Sequence, residues 1–105
     1  MNILQMKEYW YDPNHTGALR IVDYHNKKIY GSDPKEEYWI VTFEKSKSSN
    51  QELIVDFSNK KTHHGKKILK TCYEDRRMTL HWEDGNKWRR MKQNPFILLN
   101  NYSFK

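Results

Sequence analysis

Residues 78–91, MTLHWEDGNKWRRM, alternate apolar and polar side chains around a turn. Asp84-Gly85 supplies that turn, because glycine accepts a positive φ and aspartate tolerates turn geometry. A two-residue loop would place Trp82 beside Lys87. A three-residue loop of residues 83–85, with Gly85 left-handed, instead gathers the apolar side chains on one face. Since the buried face selects the register of a hairpin, we expect the three-residue loop.

The two faces of this hairpin then differ in chemistry. The inner face carries the apolar side chains Met78, Leu80, Trp82 and Trp88. The outer face carries the polar and basic side chains Thr79, His81, Lys87 and Arg89. We therefore expect the two tryptophans to build a core and the basic side chains to face water or a partner.

Short strand signals recur along the rest of the chain, with turn residues between them, and no stretch has the period of an amphipathic helix. Residues 38–44, YWIVTFE, are apolar on both faces, which predicts a central or covered strand. In residues 18–24, Leu19 and Ile21 share one face, while Arg20, Val22 and Tyr24 share the other. Further strands are predicted at residues 9–11, 29–30, 53–57, 68–73 and 96–99.

Sequential strands of this kind predict an all-β fold. We expect an antiparallel meander of about seven to eight short strands that forms a small barrel or a curled sandwich. No boundary in composition divides the chain, so residues 1–105 are predicted to form a single domain.

Composition indicates a folded protein and the compartment in which we expect it. Aromatic residues make up 14% of the chain and compensate for a hydrophobic content of only 36%. Cys72 is the sole cysteine and is expected to be a small buried hydrophobe within a strand. No signal peptide or membrane span is predicted, so we expect a soluble intracellular protein, cytoplasmic by default, that is a monomer or small homo-oligomer. The frequent Lys, Asn, Ile and Tyr are compatible with an AT-rich coding sequence, such as a viral one.

Residues 53–60, LIVDFSNK, and residues 80–90, LHWEDGNKWRR, resemble the strand pairs of small lipocalin-like, calycin-type β-barrels. The resemblance covers about a third of the chain. It implies an up-and-down barrel with one end open to a ligand. The aromatic strand, acidic-glycine turn and second aromatic are also similar to SH3-like and Tudor-like barrels.

Positive charge is concentrated in one third of the chain. The net charge of the whole chain is +6, but residues 60–92 hold eleven basic and four acidic residues, a net charge of +7. The remaining residues, with eight basic and nine acidic side chains, have a net charge of −1. Such a segment indicates either an anionic partner or a solvated basic surface.

Patterns that would indicate catalysis are missing from the sequence. His63 and His64 are adjacent, so in a strand they would point to opposite faces, and no zinc-ligand or EF-hand spacing is present. The four glycines are too far apart to form a phosphate-binding loop. The paired carboxylates fall in turns, where solvent exposure does not separate two pKa values. We expect no catalytic residue, no metal site and no cofactor.

Two functional hypotheses follow. The first is a non-enzymatic β-barrel interaction module that binds nucleic acid or an acidic protein surface through a basic face, formed by Lys60, Lys61, His63, His64, Lys66, Lys67, His81, Lys87 and Arg89. The alternative is a carrier of a small apolar ligand, with a barrel interior lined by the aromatic and aliphatic residues Trp82, Trp88, Val55 and Phe57.

Overall fold

The computed structural model describes residues 7–15, 18–32, 38–61 and 63–92. Eight strands form one closed antiparallel barrel in which each strand pairs with its neighbours in sequence. The strands are β1 (Lys7–Tyr11), β2 (Leu19–Asp23), β3 (Lys28–Ser32), β4 (Trp39–Lys45), β5 (Glu52–Asp56), β6 (Ile68–Glu74), β7 (Thr79–Trp82) and β8 (Lys87–Arg90). The predicted all-β meander is confirmed, and it closes as a barrel rather than a sandwich. The predicted strand at residues 96–99 lies outside the described residues.

Alternation within the strands places one side chain in two inside the barrel, as the pleat requires. In β4, Trp39, Val41 and Phe43 are buried while the intervening residues are exposed. β4 is paired on both sides, by β3 and β5, which confirms its central position. Its outward Ile40 remains exposed, so the second apolar face is not covered.

The hairpin of β7 and β8 has the register predicted from its apolar face. Leu80 pairs with Trp88 and His81 with Lys87, which leaves residues 83–85 as a three-residue loop. Gly85 has φ +95°, the left-handed conformation that such a loop requires. Leu80, Trp82 and Trp88 are buried, whereas Lys87 and Arg89 are exposed. On the outer face Thr79 is buried and His81 is half-buried, so these two residues are less exposed than predicted.

Side chains fill the middle of the barrel. Seven apolar residues there have no exposed surface: Trp10, Val22, Ile29, Val41, Leu53, Val55 and Leu80. An eight-stranded barrel is just wide enough to be filled in this way. Among the described residues, the middle of the barrel is therefore a packed core.

The seam between β1 and β8 closes the barrel with few backbone contacts. Among the described residues, Trp10–Arg90 and Tyr11–Arg89 are paired, and the Met91 backbone N–H donates to the Tyr9 carbonyl at 2.8 Å. By contrast, five residue pairs join β1 to β2. Side chains inside the barrel supply further links across this seam.

Antiparallel strand order gives the barrel two different ends. The connections β1–β2, β5–β6 and β7–β8 lie at one end, here called the upper end. The connections β2–β3, β4–β5 and β6–β7 lie at the other, the lower end.

A buried polar network closes the lower end. Glu8, only 5% exposed, accepts a hydrogen bond from the Tyr73 hydroxyl at 2.7 Å and another from the Trp10 indole N–H at 3.3 Å. Arg77 and Arg90 each place a guanidinium nitrogen 3.6 Å from the other Glu8 carboxylate oxygen. This carboxylate therefore joins β1 to β6, to the β6–β7 turn and to β8.

Two tyrosines extend the network. Tyr24 and Tyr73 contact each other through their hydroxyl groups, and Arg77 Nη2 donates to the Tyr24 hydroxyl at 2.9 Å. Burial, followed by the nearby Glu8 carboxylate, raises the pKa of Tyr73 far above its ordinary value. Burial likewise raises the pKa of Tyr24. Both hydroxyls therefore stay protonated and available for hydrogen bonds.

The β6–β7 turn, which contains Arg77, has an unusual backbone conformation. Asp75, Arg76 and Arg77 have φ angles of 52°, 54° and 65°, the left-handed region that non-glycine residues seldom occupy. The Met78 backbone N–H closes this turn by donating to the carbonyls of Glu74 at 3.1 Å and Asp75 at 3.0 Å. The conformation lets the Arg77 guanidinium lie 3.9 Å from the centroid of the Tyr73 ring.

The prediction that Cys72 is a small buried hydrophobe is wrong. Cys72 lies on the outward face of β6, half-buried, and its Sγ lies 3.7 Å from Glu52 Oε2. Burial and the Glu52 carboxylate together raise the pKa of this thiol.

Candidate functional site

An aromatic cavity of about 100 Å³ occupies the upper end of the barrel; we call it the mouth cavity. Its apolar walls are formed by Leu69 and four aromatic side chains, Trp39, Phe57, Trp82 and Trp88, and its polar lining includes the two carboxylates Asp12 and Asp84. The aromatic rings pack on one another: the centroids of Trp82 and Trp88 are 4.7 Å apart, and those of Phe57 and Trp82 are 5.4 Å apart. Trp82 and Trp88, which were predicted to be core residues, are buried and also line this cavity.

Local sequence explains how Trp39 reaches this wall. Gly31 pairs directly with Trp39 across β3 and β4. A Cβ on residue 31 would lie only 2.1 Å from the Trp39 indole, so the ring occupies space that any larger residue would fill. Glycine at position 31 is therefore required by close packing and not by backbone conformation.

A buried arginine lies at the base of the mouth cavity. Arg20 is 2% exposed and points inward from β2, on the face that alternation assigns to Val22. Its Nη1 donates to the carbonyls of Leu19 at 3.3 Å and Ser32 at 3.1 Å. Its guanidinium carbon lies 4.9 Å from the centroid of the Trp39 ring and 5.5 Å from that of Trp88. Stacking between two indoles explains how a charged residue is accommodated inside the barrel.

Asp12 is the acidic partner of this arginine. The carboxylate, 3% exposed, has Oδ2 3.7 Å from Arg20 Nη2 and 2.8 Å from His15 Nδ1. Asn86 Nδ2 donates to the same oxygen at 3.2 Å, and the Asn14 backbone N–H donates to Oδ1 at 3.0 Å. The Asp12 charge is therefore satisfied by groups of the protein itself.

The segment joining β5 to β6, residues 58–67, is here called the basic loop. It contains four lysines and two histidines and has no acidic residue and no arginine. His63 stacks on Phe57 with ring centroids 4.7 Å apart, and Lys60 Nζ lies 5.3 Å from the centroid of the Trp39 ring. These two contacts fold the basic loop over the mouth cavity.

Hydrogen bonds fix the shape of the basic loop. His63 Nε2 lies 2.7 Å from the Lys66 carbonyl, which can only accept, so Nε2 carries the proton in the neutral ring. Lys67 Nζ donates to the His63 carbonyl at 2.9 Å. Lys66 pairs with Glu83 in the β7–β8 turn at 3.3 Å. The backbone N–H of Lys70, 2.7 Å from Glu83, keeps the pKa of that carboxyl below its usual value.

The nine residues predicted to form a basic face fall into two groups. Those of the basic loop lie at the upper end; Lys60 and His63 line the mouth cavity, and the exposed members around them are Lys61, His64, Lys66 and Lys67. His81, Lys87 and Arg89 point outward from β7 and β8. His81 Nδ1 is 3.1 Å from Glu74, so this outer wall is partly neutralised.

The described residues 7–15, 18–32, 38–61 and 63–92 do not place three or more His, Cys, Asp or Glu side chains where they could hold a metal ion. In that same part of the chain, no helix is long and apolar enough to cross a membrane.

The fold and site together define an eight-stranded up-and-down β-barrel with a filled interior, a polar lower end and an aromatic, cationic upper end. No protein-family model matches the chain, and comparisons with curated proteins and with solved structures find no match either.

Proposed function

We propose that this barrel is a non-enzymatic binding module that holds nucleic acid at its upper end through the basic loop. The observation that carries the proposal is the position of that loop, which brings Lys60 and His63 to the mouth cavity and surrounds them with further lysines. A cluster of cations that meets phosphates releases counterions, and this release drives association.

The kind of cation does not separate phosphate from carboxylate. Arginine forms bidentate hydrogen bonds with both groups, whereas lysine acts on either one as a point charge. The basic loop has four lysines and no arginine. An acidic protein surface is therefore the alternative partner, and the experiment below distinguishes it from nucleic acid.

The lipocalin-like resemblance implies a ligand at one open end of the barrel. The closed eight-stranded barrel is compatible with that resemblance. A carrier of an apolar ligand, however, needs interior space of roughly 300 Å³ or more. Because the middle of the barrel is filled, we propose an anionic partner and not an apolar ligand.

Salt dependence tests the proposal directly. Fluorescence anisotropy with a labelled single-stranded oligonucleotide should give a log–log slope of affinity against salt of about −3, if four lysines each neutralise one phosphate. Affinity should then fall roughly 50-fold between about 50 and 200 mM salt. A slope near zero, or absence of binding at low salt, would contradict the proposal. Tighter binding of poly-glutamate than of the oligonucleotide would identify an acidic protein surface instead.

Matched charge reversals separate location from net charge. Lys61→Glu with Lys67→Glu should abolish most of the binding, because both residues are exposed on the basic loop. Lys28→Glu with Lys47→Glu changes the net charge equally, but those residues are exposed at the lower end. Equal losses in both double variants would show that net charge alone, and not the basic loop, attracts the oligonucleotide.

A further inference from the structure

The outward side chains at the seam between β8 and β1 combine positive charge with an aromatic ring. Lys87 and Arg89 point outward from β8 and are exposed. Arg89 pairs directly with Tyr11 of β1, whose side chain is 44% exposed. Directly paired residues have Cβ atoms about 4.5–5.5 Å apart, so the guanidinium and the ring are neighbours on this surface. We call Tyr11, Lys87 and Arg89 the seam wall.

Carboxylates close to the seam wall are engaged by other groups. Glu74, on β6, lies 3.1 Å from His81 Nδ1. Glu83, in the β7–β8 turn, accepts a hydrogen bond from Lys66 Nζ at 3.3 Å, and Asp84 in the same turn lines the mouth cavity instead. Within the part of the chain that the structure describes, the two cations of the seam wall have no ion-pair partner. The seam wall therefore keeps its positive charge.

The seam wall follows on from the basic loop around the upper end. Lys66 of the basic loop contacts Glu83 in the β7–β8 turn, and β8 begins four residues later, at Lys87. Lys87 and Arg89 are two residues apart on one strand, a distance of about 7 Å. An anionic strand that leaves the basic loop across this turn therefore meets Lys87, then Arg89, and then the ring of Tyr11.

An exposed tyrosine ring distinguishes single-stranded from duplex nucleic acid. A base can place its flat face on an aromatic side chain only when it is not stacked within a duplex. Such stacking tolerates any sequence, because every base has a π-face, and arginine contributes further to it. A duplex would offer the seam wall its phosphates alone.

We infer that the seam wall binds single-stranded nucleic acid, with one base stacked on Tyr11 and the neighbouring phosphates on Lys87 and Arg89. This inference rests on the proposed function and adds to it a second contact surface and the use of unpaired bases. Because Tyr11 contacts the face of a base and not its edge, we expect little preference for sequence.

The test separates bases from phosphates with three DNA probes that carry the same terminal fluorophore. The first is a single-stranded dodecamer, the second is an abasic strand with the same number of phosphates, and the third is the duplex of the dodecamer. Fluorescence anisotropy at one salt concentration gives the three affinities. We expect the dodecamer to bind at least about fivefold more tightly than the abasic strand, the ratio that corresponds to stacking of one base.

Variants of Tyr11 locate the stacked base. Tyr11→Leu keeps an apolar side chain but removes the ring, so it should weaken binding of the dodecamer about fivefold or more and change the abasic and duplex affinities less than about twofold. These two probes also report whether the variant is folded. Tyr11→Phe keeps the ring and should bind all three probes like the wild type. Tyr38→Leu is the matched control, because Tyr38 is 61% exposed beside β4, on the opposite side of the barrel from β8.

Salt dependence tests the two cations of the seam wall separately. If Lys87 and Arg89 each neutralise one phosphate in addition to the four lysines of the basic loop, the log–log slope for the dodecamer steepens from about −3 to about −4. Lys87→Ala with Arg89→Ala should return the slope to about −3. Lys28→Ala with Lys47→Ala, at the lower end, should leave it unchanged.

Failure of the inference can be distinguished from failure of the proposed function. Equal affinity for the dodecamer and the abasic strand overturns the inference and leaves the proposed function intact, whereas no binding of any probe contradicts the proposed function itself. A preference for bases that survives Tyr11→Leu, or that Tyr38→Leu removes to the same extent, also overturns the inference. The same holds if Lys87→Ala with Arg89→Ala does not change the slope.

Discussion

Replacing Tyr73 with phenylalanine should destabilise the barrel by removing one hydroxyl and little else. The hydroxyl donates to Glu8 at 2.7 Å, and Glu8 is a buried carboxylate that links β1 to three other parts of the barrel. The phenylalanine ring would keep the packing against Trp10, whose centroid is 6.1 Å away. It would also remain beneath the Arg77 guanidinium. The losses are therefore the charge-assisted hydrogen bond to Glu8 and the contact with the Tyr24 hydroxyl, which keeps its hydrogen bond from Arg77.

The magnitude follows from the burial of Glu8. Hydrogen bonds to charged groups contribute about 1.5–3 kcal/mol, because the charged partner remains buried when the donor is removed. Glu8 keeps its bond from Trp10 and its two arginine partners, so we expect the free energy of unfolding to fall by about 2 kcal/mol. In a domain of this size that corresponds to a melting temperature lower by about 10 °C.

Urea denaturation followed by tryptophan fluorescence measures this change, with the m-value expected to stay constant. Tyr11→Phe serves as the control, because Tyr11 lies on the outer face and is 44% exposed. A double-mutant cycle of Tyr73→Phe with Glu8→Gln should give a coupling energy of at least about 1 kcal/mol. The reasoning is refuted if Tyr73→Phe changes stability by no more than Tyr11→Phe does.

Three further predictions concern alkaline stability, packing and thiol reactivity. Burial raises the pKa of Tyr24 and Tyr73, so above about pH 10 these tyrosines lose their protons in the unfolded chain but keep them in the folded barrel. The free energy of unfolding should then fall by up to about 1.4 kcal/mol per pH unit for each tyrosine. Urea denaturation midpoints measured at several pH values test this. Gly31→Ala should cost about 1–3 kcal/mol in urea denaturation, because the new methyl group would displace the Trp39 indole. Cys72 should react with a disulfide reagent at neutral pH at least a few-fold more slowly than free cysteine, because burial and the Glu52 carboxylate raise its thiol pKa.

Each of these predictions has a comparison that could contradict it. The alkaline slope should be shallower in Tyr73→Phe, and an unchanged slope would assign it to other groups. Ser32→Ala, at the exposed neighbour of Gly31, should change stability by less than about 0.5 kcal/mol. Reaction of Cys72 should accelerate in Glu52→Gln, and an equal rate would show that the carboxylate has no influence.

Local alternation was sufficient to predict the hairpin of β7 and β8. The positions of Leu80, Trp82 and Trp88 allow one register that buries them together, and that register is the one observed. The same reasoning assigned Arg20 to the face of Val22, which is the inner face. Periodicity therefore predicts orientation even for a charged residue, although it does not explain how the charge is accommodated.

The polar interior could not be predicted because its contacts are distant in sequence. Glu8 lies two residues before Trp10 and therefore shares its face of β1. Charged residues, however, are rarely buried without partners. The partners of Glu8, which are Tyr73, Arg77 and Arg90, lie more than 60 residues further along the chain. The position of the basic loop over the mouth cavity could not be predicted either. It depends on the contact between Phe57 and His63, at an end of the barrel that forms only when all strands are in place.

The seam between β1 and β8 has a consequence for folding kinetics. Every other pairing in the barrel joins strands that are adjacent in sequence, so those hairpins can form early and locally. Pairing of Trp10 with Arg90 must instead close a loop of about eighty residues before the Glu8 network can form. We expect this closure to be the slow step of folding. During synthesis, one edge of β1 stays unpaired until β8 has left the ribosome.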